Sequence, residues 1–244
     1  MGFIHLNLKT EYSILNAITK THEVIKKAAS FGMSHLACTD LNNMFGAYKF
    51  EKACLKAGIM PVHGVTFTVK EKDGFSSLGL LAENEEGYKN LVKLSTCANI
   101  GIDAKGEKKI PYITPEDLER SHEGLIALSG GMNGQLFKLL LAEPQAAEEY
   151  LTWIRKIFDT DHFYVEITNH GHPDELRFMM SPQLLALKKQ FGFSSVATND
   201  VYYLNKEHAF HRGLALEMNP NPESIPFTSG TVNYNDEFYF KSDE

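Results

Sequence analysis

Short apolar segments, rich in β-branched and aromatic residues, recur along the chain and predict seven β-strands. The segments span residues 3–8, 34–40, 61–69, 77–83, 124–130, 163–168 and 194–200. In the first segment Leu6 and Leu8 alternate with polar residues, which is the period of a strand with two different faces. Asn7 and Lys9 fall on the polar face, and we expect that face to point inward if the strand belongs to a barrel.

Helical patterns lie between most of these strands, at residues 21–32, 84–95, 114–118, 144–158 and 173–192. Asn84 and Thr114 stand where a helix N-cap is expected, and Pro115 suits the first helical position. Gly32 offers a C-terminal stop, and Pro182 predicts an interruption in the last helical pattern.

Strands that alternate with helices predict parallel strands joined by helical crossovers. Because about seven such units follow one another without a linker, the pattern favours one α/β domain folded as a closed or nearly closed β/α barrel. An open, doubly wound parallel sheet is the alternative. In both architectures ligands bind at the carboxyl ends of the strands, so polar residues at those ends are the candidates for chemistry.

Composition narrows the class of protein further. Hydrophobic residues make up 43 % of the 244 residues and charged residues 23 %, as in globular domains. No apolar run approaches the ~20 residues of a membrane span, and no signal peptide is visible. The three cysteines are far apart, which predicts buried free thiols in a reducing cytoplasm. The formal net charge of −7 argues against nonspecific electrostatic binding of nucleic acid. The short basic stretch AKGEKKI (104–110) is expected to be a solvated loop.

Candidate ligands for a hydrolytic metal cluster are sparse, although each divalent ion needs about four to six donors. Most of the ten histidines lie within strands or at helix edges without a ligand spacing. His170 and His172 follow a strand end, but a His-Gly-His-Pro segment also forms ordinary turns. Asp40 and Asp200 could each bind a metal or cap the next helix, and capping is favoured for Asp40. The chain has neither a phosphate-binding glycine loop after a strand nor a GxSxG nucleophile elbow.

Eight stretches carry a resemblance that extends over essentially the whole chain. They are HLNLKTEYSILNA (5–17), ACTDLNNMFGAYKF (37–50), AGIMPVHGVTFTV (57–69), LLAENEEGYKNLVKLS (80–95), LIALSGGMNGQL (125–136), FYVEITNHGHPDE (163–175), VATNDVYYL (196–204) and EFYFKS (237–242). In this order they resemble the N-terminal PHP (polymerase and histidinol phosphatase) domain of the bacterial DNA polymerase III alpha subunit. The resemblance implies a distorted seven-stranded β/α barrel and a single PHP domain over residues 1–244. It also implies a longer parent chain whose polymerase core lies beyond Glu244.

The resemblance further implies a degenerate metal site. Metal-binding members of the family carry ligands at positions that are occupied here by Asn7, Lys9, Asn16, Leu41, Thr66, Ser77 and Tyr202, whereas His170 and Asp200 are retained. Leucine has no donor atom, and lysine brings a positive charge to a place where a cation would bind. We therefore expect no catalytic residue and no cofactor, and at most a single adventitious divalent ion near His170.

One hypothesis concerns the charge left at this site. We predict that the Lys9 ammonium pairs with Asp200 and supplies the positive charge that metals supply in other members of the family. The alternative is that Lys9 extends into solvent at the barrel mouth.

For function, the resemblance implies a domain of a DNA-directed DNA polymerase, a nucleotidyltransferase that acts in DNA replication in the cytoplasm. We expect this domain to be inactive, to have a structural role and to bind the proofreading exonuclease (epsilon) subunit. Its partners would be that subunit and the rest of the alpha chain, with DNA contacted through the parent polymerase and no membrane. Two alternatives stay open. One is a metal-dependent phosphoesterase or 3′–5′ proofreading exonuclease with a residual metal site, and the other is a free-standing scaffold domain.

Overall fold

The computed structural model describes residues 2–100, 110–218 and 236–242, so most of the basic stretch 104–110 lies outside the described residues. Within these ranges one six-stranded sheet runs through the molecule, with its strands in sequence order. The strands are β1 (His35–Leu41), β2 (Met60–Glu71), β3 (Gly74–Ala82), β4 (Leu125–Leu128), β5 (Phe163–Ile167) and β6 (Ser194–Ala197). They correspond to six of the seven predicted strands.

The first predicted strand is not a regular strand, but its backbone joins the two ends of the sheet. On one side the Thr39 N–H donates to the Leu8 carbonyl at 2.8 Å, and on the other the Val201 N–H donates to the Asn7 carbonyl at 2.9 Å. A single parallel bridge links Leu8 to Val201. The curled sheet with helices confirms the predicted β/α barrel class, although seven regular strands are not reached in the described residues.

Two details of the predicted sheet are wrong. Strands β1–β2, β4–β5 and β5–β6 are parallel as predicted, but β3 is antiparallel to both β2 and β4. The reason is that only Lys72 and Asp73 join β2 to β3, which suffices for a hairpin but not for a crossover. In addition, Leu6 and Leu8 belong to different apolar clusters, because the irregular segment does not keep the strict alternation of a strand.

Nine helices surround the sheet in the described residues, and every predicted helix is present. They are α1 (Thr21–Ser30), α2 (Ala47–Lys56), α3 (Glu85–Asn99), α4 (Pro115–Arg120), α5 (Gln135–Ala142), α6 (Pro144–Ile157), α7 (Pro173–Met179), α8 (Pro182–Phe191) and α9 (Ala209–Glu217). The Asn84 side chain caps α3 by accepting the Gly87 N–H at 3.1 Å, and Thr114 forms a capping box with Asp117 at α4. Helices α2, α5 and α9 are absent from the sequence prediction.

Apolar side chains fill most of the interior, and polar ones replace them toward the carboxyl ends of the strands. The largest apolar cluster lies between the sheet and the helices from α3 to α8. Inside the curled sheet a smaller cluster contains Ala37 and Tyr164. Two residues further along the same strand faces come the buried polar residues Thr39 and Glu166. This change from apolar to polar places the candidate site at the barrel mouth.

Two further expectations can be checked in the described residues. None of the described helices combines the length and the apolar character needed to cross a membrane. Cys38 and Cys54 are buried as expected, but Cys97 is exposed, because it lies on α3 outside the stripe of buried positions.

Candidate functional site

The carboxyl ends of the strands enclose a polar cluster centred on the Lys9 side chain, which is only 1 % exposed. Lys9 Nζ lies 3.5 Å from Asp200 Oδ1 and also donates to Asn7 Oδ1. Asn7 Nδ2 in turn donates to Asp200 Oδ1 and, at 3.4 Å, to Glu166 Oε1. The N-terminal segment (residues 3–9) and the segment after β6 therefore meet through the buried Lys9–Asp200 ion pair, which the Asn7 side-chain amide supports. The Lys9 side chain does not extend into solvent.

Glu166, on β5, supplies a second buried carboxylate to this cluster. It accepts hydrogen bonds from the Gly130 N–H at 2.7 Å and from Thr198 Oγ1 at 2.9 Å. Burial, together with the negative charge of Asp200, raises the pKa of Glu166 to about 6. Burial also lowers the pKa of Lys9, although the charges of Asp200 and Glu166 oppose that shift.

Glu166 is not among the site residues predicted from the sequence, although the sequence carries a signal for it. Glu166 is the single charged residue in the apolar strand FYVEI, and alternation puts it opposite the core residues Phe163 and Val165. A buried charge on an inward face of a strand requires a partner, so this residue could have been added to the candidates.

Little open space remains among these side chains. The cavity measures about 10 Å³, room for about one water molecule. It is lined by Asn7, Lys9, Thr66, Ser77, Gly79, Gly130, Asn133, Glu166, Asp200 and Tyr202. Six of the nine positions singled out from the sequence thus come together here, and Asn16, Leu41 and His170 do not line the cavity.

Asn16 and Leu41 are used locally instead. The Asn16 side chain donates to the Ile14 carbonyl at 3.0 Å within its own loop. Leu41 is half-buried at the end of β1, where its backbone N–H donates to Ser13 Oγ at 3.0 Å. Neither position contributes a side chain to the polar cluster.

His170 is buried behind Asp200 and contacts its backbone rather than its carboxylate. His170 Nε2 accepts the Asp200 N–H at 3.1 Å, and Nδ1 lies 2.7 Å from Glu175 Oε1. Because an amide N–H can only donate, Nε2 is the acceptor and Nδ1 carries the proton that Glu175 accepts. Burial raises the pKa of Glu175, but hydrogen bonds from His170 and Thr168 outweigh it and bring that pKa to about 2. His170 thus ties the end of β5 to the segment after β6.

Two aromatic contacts complete the surroundings of the cluster. Lys9 Nζ lies 5.6 Å from the centre of the Tyr202 ring, and the Arg212 guanidinium carbon lies 3.9 Å from the same centre. Arg212 is buried, and its Nε donates to the Asn16 carbonyl at 3.0 Å. Arg212 is not among the site residues predicted from the sequence, because it lies on α9, a helix that the sequence pattern does not predict. Two cationic groups therefore lie near the Tyr202 ring, and a cation is attracted to the face of an aromatic ring.

Asp40, on the other side of β1, has neutral partners. Its carboxylate accepts the Thr10 N–H at 2.6 Å, Thr10 Oγ1 at 2.7 Å and Ser13 Oγ at 2.6 Å. The prediction that Asp40 caps a helix is wrong, because α2 begins after Gly46 and no side chain caps it. Asp40 fastens the loop after the N-terminal segment to the end of β1.

The chemistry available at the mouth follows from these contacts. It comprises one ammonium group, two carboxylates that already have donors, and space for about one water. Among the residues that the structure describes, no three His, Cys, Asp or Glu side chains are grouped so that they could hold a metal ion.

Comparison with known proteins identifies relatives of this arrangement. Residues 5–170 match the PHP domain family. The chain is 34 % identical to DNA polymerase III subunit alpha of Borreliella burgdorferi, over 99 % of this chain and 21 % of that protein. It is 33 % identical to the Escherichia coli K12 protein of the same name, again over 99 % of this chain and 21 % of the relative. The chain thus spans about a fifth of the length of these relatives.

Solved structures share the fold at low sequence identity. A Bifidobacterium adolescentis protein described as a metal-dependent phosphoesterase aligns with a TM-score of 0.52 and 13 % identity, over 81 % of this chain and 86 % of that one. An amidohydrolase from Chromobacterium violaceum, solved with bound sulfate and no metal, aligns with a TM-score of 0.54 and 14 % identity, over 82 % and 87 %. These structures bear on the fold alone, while the family match covers more than half of the sequence. The resemblance found in the sequence is confirmed, and the chain belongs to the PHP domain family.

Proposed function

We propose that this chain is a catalytically inactive PHP domain of the alpha subunit of a bacterial DNA polymerase III, with a structural role in that longer cytoplasmic chain. The observation that carries the proposal is the buried Lys9 ammonium at the barrel mouth, 3.5 Å from Asp200. Support for the parent protein comes from alpha subunits of which this chain matches a fifth at 33–34 % identity.

The residues at the mouth do not fit the metal cluster of metal-binding PHP domains. At an effective dielectric constant near 20, an ammonium 4 Å away opposes each unit of positive charge by about 4 kcal/mol, and so opposes a divalent ion by about 8 kcal/mol. Asp200 is already paired with Lys9, and Leu41 has no donor atom. His170 Nε2 accepts a backbone N–H, so even a single adventitious ion would have to displace that bond. Without a metal to activate water, hydrolysis by this family's chemistry lacks its nucleophile.

The size of the cavity supports the same proposal. Small-molecule sites enclose roughly 300–1,000 Å³, whereas this cavity of about 10 Å³ holds about one water. A phosphate ester would have to displace the Lys9–Asn7–Asp200 network to reach the strand ends. The groups at the mouth are thus occupied with one another rather than available to a substrate.

The structural role follows from the charges of the network. Two buried carboxylates, Asp200 and Glu166, need a positive charge nearby, because an uncompensated buried charge is strongly destabilising. In metal-binding relatives that charge would come from the cations, and here Lys9 supplies it. The Lys9 ammonium thereby stabilises the closed barrel mouth without a bound metal ion and without the chemistry that such an ion supplies.

Binding of the proofreading exonuclease (epsilon) subunit belongs to the same proposal. A polymerase whose PHP domain cannot hydrolyse DNA needs proofreading from another active site, and a retained, folded barrel offers that subunit a docking surface. DNA would then be contacted through the parent polymerase, which agrees with the net charge of −7 on this chain.

Metal content and hydrolysis test the inactivity. Protein purified without chelators is expected to hold less than one equivalent of zinc, manganese or iron by elemental analysis. With Mn²⁺ or Zn²⁺ it should hydrolyse p-nitrophenyl phosphate and 3′-labelled DNA no faster than an Asp200→Asn control. More than one equivalent of tightly held metal, or hydrolysis that Asp200→Asn abolishes, would overturn the proposal in favour of the phosphoesterase or nuclease alternative.

The parent protein is tested by the coding sequence that follows Glu244. We expect it to continue in frame into a polymerase core with its catalytic carboxylates. A stop codon directly after Glu244 would contradict this part of the proposal and favour the free-standing scaffold.

A further inference from the structure

The last residues that the structure describes pack beside the barrel mouth without belonging to a regular strand or helix. They are residues 236–242, and we call them the closing segment. Phe238 and Phe240 are buried, whereas Tyr239 between them is half-buried. Side chains two positions apart lie on the same side of an extended backbone, so the closing segment turns both phenyl rings toward the barrel.

The backbone of the closing segment pairs with the segment that follows β6. The Tyr202 N–H donates to the Phe238 carbonyl at 3.0 Å, and the Phe240 N–H donates to the Tyr203 carbonyl at 3.1 Å. An isolated parallel bridge links Tyr203 to Tyr239. Elements that few backbone hydrogen bonds hold in place open locally at a lower free energy than the core of a sheet. The closing segment is therefore able to open without unfolding of the barrel.

Its other contacts are charged at one end and aromatic at the other. Lys206 pairs with Glu237 at 2.6 Å, with side chains 49 % and 30 % exposed, and ion pairs of this kind contribute little to stability. At the other end the Phe240 ring stacks on His5, with ring centres 4.2 Å apart. His5 Nε2 also donates to the Lys241 carbonyl at 2.9 Å, because a carbonyl only accepts. Aromatic packing rather than charge thus holds the closing segment in place.

Phe238 connects the closing segment to the barrel mouth. Its ring stacks on His170 with ring centres 4.3 Å apart, and it meets the Tyr202 ring edge to face at 5.9 Å. His170 Nε2 accepts the Asp200 N–H at 3.1 Å, and Lys9 Nζ lies 5.6 Å from the centre of the Tyr202 ring. Each of the two rings that Phe238 contacts is thus itself in contact with one member of the Lys9–Asp200 ion pair.

We infer that the closing segment opens and closes as a unit and thereby controls whether solvent and ions reach the Lys9–Asp200 ion pair. When the segment is docked, Phe238 packs on His170 and Tyr202, and the mouth encloses a cavity of only about 10 Å³. When it is displaced, both rings lose this neighbour, the His170 ring no longer holds the Asp200 N–H, and the Lys9 ammonium becomes accessible. The inference goes beyond the proposed function, which requires a closed mouth but no element that opens it.

Amide hydrogen exchange of the unaltered 244-residue chain at increasing urea concentration tests whether the closing segment opens by itself. The amides of Tyr202 and Phe240, which hydrogen-bond across the contact, report displacement of the segment. The Asp200 amide, followed by NMR, and acetylation of Lys9, followed by mass spectrometry, report opening of the mouth. The amides of β2 and β3 report global unfolding. We expect the reporters of the segment and of the mouth to respond together, at least tenfold faster than the amides of β2 and β3.

Two variants weaken the docking of the closing segment at different points. Phe238→Ala removes the ring that packs at the mouth, and Phe240→Ala removes the ring that packs on the N-terminal segment. The matched control, Phe210→Ala, removes the same atoms from a ring that is 64 % exposed on α9. We expect Phe238→Ala to raise Lys9 acetylation and Asp200 amide exchange at least tenfold and the control to change them less than twofold. Phe240→Ala should raise both at least threefold, because the segment moves as one unit.

Three results would overturn the inference, and the unaltered chain decides the first two even where a variant is unstable. If the amides of Tyr202 and Phe240 exchange only together with those of β2 and β3, the closing segment does not open separately. If they exchange early while Lys9 and Asp200 stay protected, the segment opens without affecting the mouth. If Phe238→Ala exposes Lys9 and a folded Phe240→Ala variant does not, Phe238 acts through local packing rather than as part of a unit. Thermal melts establish which variants are folded.

Discussion

Two buried carboxylates near strand ends, Asp40 and Asp200, are stabilised in opposite ways. Asp40 is 2 % exposed and accepts hydrogen bonds from an amide and two hydroxyl groups, all supplied by Thr10 and Ser13. Asp200 is 6 % exposed and lies 3.5 Å from the Lys9 ammonium. The first carboxylate has neutral donors, and the second has a cation.

The difference follows from where each carboxylate lies. Asp40 has three short neutral hydrogen bonds from Thr10 and Ser13 and a fourth from Cys38 Sγ at 3.3 Å, although burial still raises the pKa of its carboxyl group. Asp200 shares the barrel interior with Glu166, and each charge disfavours the other. Neutral donors cannot offset two negative charges in one enclosed space. A positive group is then required, and in the proposed function the Lys9 ammonium, 3.5 Å from Asp200, supplies it.

Removal of Lys9 is the most severe test of this comparison. Lys9→Met removes the ammonium that pairs with Asp200 and leaves the two carboxylates only the charge of Arg212, which forms no direct ion pair with Asp200 in the described residues. The free energy of unfolding should therefore fall by about 4 kcal/mol in urea denaturation. Adding Asp200→Asn should recover at least half of that loss, because the double variant has one charge fewer to compensate. Lys52→Met on exposed α2 is the matched control, with an expected change below about 0.5 kcal/mol. A loss below 1 kcal/mol for Lys9→Met would show that the ion pair is not needed.

Removal of Asp40 should have a smaller effect of a different kind. Asp40→Ala leaves the Thr10 N–H and the hydroxyl groups of Thr10 and Ser13 without their acceptor, which should lower the free energy of unfolding by about 3 kcal/mol. Asp40→Asn keeps one acceptor oxygen and should lose less. If Asp40→Asn instead lost as much as Lys9→Met, charge would matter as much here as at the barrel mouth.

Glu166 connects the comparison to pH. Its pKa is raised from 4.5 to about 6 in the folded protein, so the native state binds more protons than the unfolded state in this interval. The contribution of Glu166 to the free energy of unfolding is therefore fully present below pH 4.5, and it is lost as the pH rises through 6. Glu166→Gln removes this pH dependence. The free energy of unfolding of the variant minus that of the unaltered chain should therefore rise by about 2 kcal/mol as the pH goes from acid to neutral. Urea titrations across this range measure the difference, and parallel curves for the two proteins would contradict it.

Single hydroxyl groups provide the finest comparison. Thr10 Oγ1 donates to the Asp40 carboxylate at 2.7 Å, whereas Thr66 Oγ1 donates to the neutral Asn7 amide oxygen at 3.4 Å. Hydrogen bonds to charged groups contribute more, so Thr10→Val should cost about 1.5 kcal/mol and Thr66→Val about 0.5 kcal/mol. The two variants remove the same atoms, and equal losses would show that the charge of the acceptor is unimportant.

Several features of the fold could be predicted because they depend on nearby residues. The capping of α3 by Asn84 and of α4 by Thr114 needs only residues within three positions of each cap. Six strands followed from short apolar runs, and the break between α7 and α8 from Pro182. The antiparallel direction of β3 could not be predicted in the same way, since nothing in the apolar pattern gives the direction in which a strand pairs.

In the candidate site, too, some features follow from residue types alone and others depend on the tertiary structure. The sequence by itself determined which donors are absent: no folding of this chain can make a ligand of the Leu41 side chain, and the Lys9 side chain offers only an amine where the family has a ligand. Only the tertiary structure decided that Lys9 meets Asp200 from a segment 191 positions away, that Glu166 joins them, and that His170 contacts a backbone N–H instead of facing the cavity. The physical reason is that donor chemistry belongs to each residue type, whereas charge compensation depends on which side chains share an enclosed space. That arrangement is set by the closure of the whole barrel.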